Sequence, residues 1–83
     1  MTQRQLIIGL TDNDMTSIAE SIGGWDKLWG AIGYLSTWNT SYPYVQIHRD
    51  HDTDLTAVYL DADQKCRYVI GAVWHGEHYG FHS

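Results

Sequence analysis

The apolar residues of this chain change their period at its only proline, Pro43, and that change restricts the folds open to it. Before Pro43 they recur at helical spacing. Met15, Ile18, Ala19 and Ile22 fall at i, i+3, i+4 and i+7, and Trp25, Leu28, Trp29 and Ile32 repeat the pattern. After Pro43 they alternate: Val45 and Ile47 are separated by polar residues, and Leu55 to Leu60 and Cys66 to Trp74 are rich in β-branched and aromatic types. Helices followed by strands within 83 residues describe an α+β domain.

Local signals set the boundaries. Thr11 followed by Asp14 forms a capping box for the first helix, and Gly23-Gly24 offers it a left-handed stop. The second helix is predicted from about Trp25 to Leu35, with Ser36 to Pro43 as a connection. Gly30 and Gly33 each cost about 1 kcal/mol against Ala inside a helix, so they imply a packing groove where another backbone approaches. Gln5 to Leu10 reads as a short buried strand. Asp61 to Lys65 is polar and short enough to make the last two long strands a hairpin. Glu77 to His82 is expected to add a short edge strand. The expected architecture is a single domain over residues 1–83, with two helices packed on a three- to five-stranded antiparallel sheet in the order β-α-α-β-β-β.

Ten acidic residues against five basic give a net charge of −5, the same sign as nucleic acid and anionic membranes, so neither is an expected partner. The opening apolar run, Leu6 to Leu10, is too short for a signal peptide or a spanning helix. With one cysteine there is no intramolecular disulfide, and a cytoplasmic location is expected. Cys66 lies between Lys65 and Arg67, but it is in phase with Tyr68, Ile70, Ala72 and Trp74, which reads as a small buried hydrophobe rather than a nucleophile.

Five histidines raise the question of a metal. His48 and His51 lie near Asp50, Asp52 and Asp54, and His75, His78 and His82 near the end of the chain. On a strand, side chains three apart face opposite ways and those four apart stand about 13 Å from each other, so one strand cannot gather them. Exposed, unliganded histidine is the commoner outcome, and neither a metal nor a cofactor is expected unless ligands meet across strands. Asp50-His-Asp-Thr-Asp54 has the acid spacing that opens a calcium loop, but the sixth position is Leu55 where the turn needs glycine. No nucleophile elbow, phosphate loop or dinucleotide fingerprint is present, and no enzyme is expected.

Surface recognition remains. Eleven large rings exceed what one small core can enclose, and such rings are enriched at interface hot spots. Asp50, Asp52 and Asp54, if extended, would form a row of negative points, continued by Asp61 and Asp63 in the next turn. The sequence therefore points to a non-enzymatic module that binds a basic surface on another protein. The five aspartates would steer association, and Trp38, Tyr42, Tyr44 or Tyr79 would anchor it. By analogy of size and sign alone, such a surface suits an inhibitor that mimics nucleic acid, as small acidic inhibitors of restriction or CRISPR-type complexes do. A histidine-dependent metal protein or small hydrolase is the alternative. A homodimer joined through Gln5 to Leu10 or the terminal strand is the third.

Overall fold

The computed structural model describes residues 4–83. Five strands and two helices follow in the order β1 (Gln5–Gly9), α1 (Asp12–Ile22), α2 (Trp25–Thr37), β2 (Tyr44–His51), β3 (Asp54–Leu60), β4 (Cys66–Trp74) and β5 (Tyr79–His82). They form one sheet in the order β1-β2-β3-β4-β5. The sheet is mixed. Strands β2 to β5 are antiparallel neighbours, but β1 runs parallel to β2, because the two helices carry the chain back before β2 begins.

The helix signals act as written. The Thr11 hydroxyl accepts from the Asp14 N–H while the Asp14 carboxylate accepts from the Thr11 N–H. Gly23 adopts φ 92° and returns its N–H to the Ala19 carbonyl. Helix α2 runs two residues beyond its expected end. Ser36 and Thr37 each donate a hydroxyl to the Gly33 carbonyl, so polar residues that suggest a loop here close the last turn.

Both helices lie on one face of the sheet. Ile18, Leu28, Leu35, Val45, Ile47, Leu55, Ala57, Tyr59 and Ala72 are all essentially inaccessible. Burying a large aliphatic side chain contributes about 1.5–3 kcal/mol, so this layer supplies most of the driving force. The Tyr59 hydroxyl donates to the Leu35 carbonyl at 2.7 Å, and burial pushes its pKa up to about 12. Arg4 fastens the rim of this layer. Its guanidinium donates to the carbonyls of Ser36, Trp38, Asn39 and Tyr42 and lies 5.6 Å from the Tyr59 ring centre.

Three expectations are corrected. Strand β1 is an exposed edge, not a buried strand, with Leu6 39% and Ile8 36% accessible. It lies at the end of the sheet, beyond the strands that carry the core. Gly30 and Gly33 form no internal packing groove, since a Cβ at either would meet nothing within 4 Å. Cys66 is exposed, because it lies at the start of β4, where the pairing with β3 slips at Tyr59/Leu60 and the core has ended.

Candidate interaction surface

The five aspartates form no single row. Asp50 is in β2, Asp52 is in the β2–β3 turn at φ 49°, and Asp54 opens β3, so the chain reverses where an extended strand was expected. That reversal also removes the calcium loop: Leu55, its sixth position, is buried in β3. Asp61 and Asp63 occupy the β3–β4 turn at the other end of β3. A seven-residue strand, about 20 Å long, separates the two groups.

Their environments differ. Asp50, Asp52 and Asp63 are exposed. The Asp54 carboxylate accepts the Trp74 N–H, which ties the β2–β3 turn to β4. Asp61 accepts the N–H groups of Lys65 and Asp63 and pairs with Arg67 at 2.7 Å; the Lys65 N–H first, then Arg67, hold its carboxyl below the usual range.

Most of the basic side chains are engaged by partners within the chain. Arg4 holds the α2–β2 connection. Arg49 pairs with Asp14 at 3.0 Å and donates to the Asp52 carbonyl, and Arg67 pairs with Asp61. Lys27 donates to the Glu77 carbonyl and lies 5.4 Å from the Trp74 ring centre. Four of five cations thus have partners within the chain, while Asp12, Glu20, Asp26, Asp50, Asp52, Asp63 and Glu77 are exposed.

The expected aromatic anchors are mostly packed inward. Trp38 stacks on Tyr68 and tilts against Tyr59, both at 4.9 Å, and Tyr42 packs on Tyr59 at 5.9 Å. Tyr79 is buried, and its hydroxyl donates to the Thr53 carbonyl at 2.6 Å. Tyr44 is half-buried, on the sheet face that the helices leave open. The exposed large rings belong to α2: Trp25, Trp29 and Tyr34, the latter two 47% and 46% accessible. Trp25 and Trp29 stack one turn apart at 6.3 Å.

Gly30 and Gly33 lie on this solvent side of α2, between the Trp pair and Tyr34. Next to them a groove of about 200 Å³ runs between α2 and the β4–β5 hairpin, floored by Gly30, Ala31, Trp74, Tyr79 and Phe81. The missing side chains keep both helix face and groove shallow and open. Two interior glycines in an amphipathic helix demand a cause, and here it lies at the surface rather than inside the molecule.

Among the described residues no group of three or more His, Cys, Asp or Glu side chains could hold a metal ion. No helix among the described residues is long and apolar enough to cross a membrane. No family model, curated protein or solved structure matches this chain.

Proposed function

We propose that the chain is a non-enzymatic module that binds a protein with a basic surface, in the sharper form as an inhibitor occupying a groove meant for nucleic acid. The net charge of −5 and seven exposed carboxylates support this reading, with Arg49 and Arg67 each paired to an acid of the chain itself. Asp50 and Asp52 at the β2–β3 turn steer the encounter. Trp25, Trp29 and Tyr34 supply the anchoring area that Trp38, Tyr42 and Tyr79 have committed to the interior. A standard interface takes about 800 Å² per partner, roughly a sixth of the 5123 Å² surface, which one face of α2 with the adjoining groove can provide.

Capture on immobilised full-length chain at low salt, followed by association rates with the retained protein, tests it. The rate should fall about tenfold between low and high salt and by a similar factor in Asp50→Asn/Asp52→Asn. Trp25→Ala/Trp29→Ala should raise the dissociation rate instead. A retained protein indifferent to salt and to both double variants would remove the reading.

One observation favours a second reading, the homodimer. Gln5 donates to the Pro43 carbonyl, so by alternation the N–H and C=O groups of Leu6 and Ile8 face away from β2 along an unpaired edge. No charge, proline or bulge blunts that edge.

A further inference from the structure

Strand pairing brings together histidines that no single strand could gather. Val73 pairs with Gly80 and Gly71 with His82, and alternation places Val73, His75, Gly80 and His82 on the face away from the helices. His75 then leans over Gly80. Its ring centre lies 5.9 Å from that of His82, with the two rings at 83°. A Cβ built on Gly80 would collide with His75 Nε2 and come within 3.3 Å of His82 Nε2, so both nitrogens lie beside one point, which the His75 ring can approach because residue 80 has no side chain. His48 covers Gly9 in the same manner at the opposite edge of the same sheet face, but with one ring only.

We propose that His75 and His82 form a two-imidazole chelate for a divalent transition metal, with the ion seated over Gly80. Metal–nitrogen bonds of about 2.0–2.1 Å put each ring centre about 3.2 Å from the ion, so two imidazoles on one ion have centres about 4.5 Å apart at a right angle and about 5.2 Å apart at the tetrahedral angle. The observed 5.9 Å lies within about 1.5 Å of both, a gap that rotation of two exposed side chains closes. Imidazole favours copper, nickel and zinc over harder cations, and Cu2+ binds most strongly in that series. Two protein ligands leave positions for water or a partner's side chain, consistent with the lack of any three-residue group among the described residues. His78 also lies 5.9 Å from His75, but it belongs to the bend before β5 and completes no three-residue group among the described residues, so it lies outside the chelate.

Full-length protein purified without a metal resin is titrated with Cu2+ alone, then with Ni2+ and Zn2+, by calorimetry. One equivalent of Cu2+ should bind, with affinity reduced about tenfold or more in His75→Ala and His82→Ala, and unchanged in His78→Ala and His48→Ala/His51→Ala. Gly80→Ala should also abolish binding by filling the space. If that variant does not fold, paramagnetic broadening in the wild-type chain gives the location: amide signals of Val73, Gly80 and His82 should be lost first. No binding, wild-type affinity in His75→Ala/His82→Ala, or broadening centred on His48 to His51 would each overturn the site.

Discussion

At the scale of single residues, Arg4 and Tyr59 fasten α2 to the sheet, through the Ser36 and Leu35 carbonyls. Arg4 is one cation in a polar stretch, and its partners are backbone carbonyls more than thirty positions away, which no local pattern encodes. Tyr59 was legible as a strand residue but not as the ring on which Trp38, Tyr42, Tyr68 and Arg4 converge. Burial raises Tyr59 and Tyr79 to about 12, in Tyr79 with help from the Asp54 charge. An unfolded phenol ionises near 10, so the folded state keeps its protons to higher pH. The stability these residues contribute is therefore whole below pH 10 and lost as pH rises from 10 towards 12. Denaturant melts should show a steep loss of stability over that window. Tyr59→Phe should make the loss shallower while lowering stability at neutral pH by about 1–3 kcal/mol, because the buried Leu35 carbonyl loses its donor. An unchanged alkaline slope would show that Tyr59 ionises as freely in the fold as in the unfolded chain.

Among the elements, the helices were readable because their signals are local: a capping box, an apolar stripe and a glycine stop lie within a dozen residues. The pairing of β1 was not, since an apolar run of five residues looks the same whether a sheet closes over both its faces or leaves it at an edge. The same limit hid the relation of His75 to His82, which depends on the register of β4 against β5. Helix α2 carries a test of its own. A Cβ at Gly30 or Gly33 would meet nothing within 4 Å, so Gly30→Ala and Gly33→Ala should each stabilise the fold by about 1 kcal/mol in chemical denaturation. The same substitutions should weaken capture of a partner on α2, a loss of function accompanying a gain of stability. Alanine variants that are less stable than the parent would restore an internal role for the glycines.

For the whole molecule, the two association readings differ in the sign of their salt dependence. Attraction between a chain of charge −5 and a cationic surface weakens as salt rises, whereas two copies of that chain repel and come together more readily when salt screens them. If β1 joins two copies edge to edge, mass in solution should rise with protein concentration and with salt, and Ile7→Lys should return the chain to monomer. A constant monomer mass at the highest soluble concentration in high salt would dismiss the dimer and leave the partner reading intact. The exposed thiol of Cys66, at the end of the sheet that carries the β3–β4 turn, bears on every such measurement. Under air it can join two chains covalently, and that product would have the mass of the noncovalent pair, so a reductant belongs in the buffer. The same solitary thiol offers a single attachment point for a maleimide dye, far from the β2–β3 turn, whose emission could report binding without disturbing it.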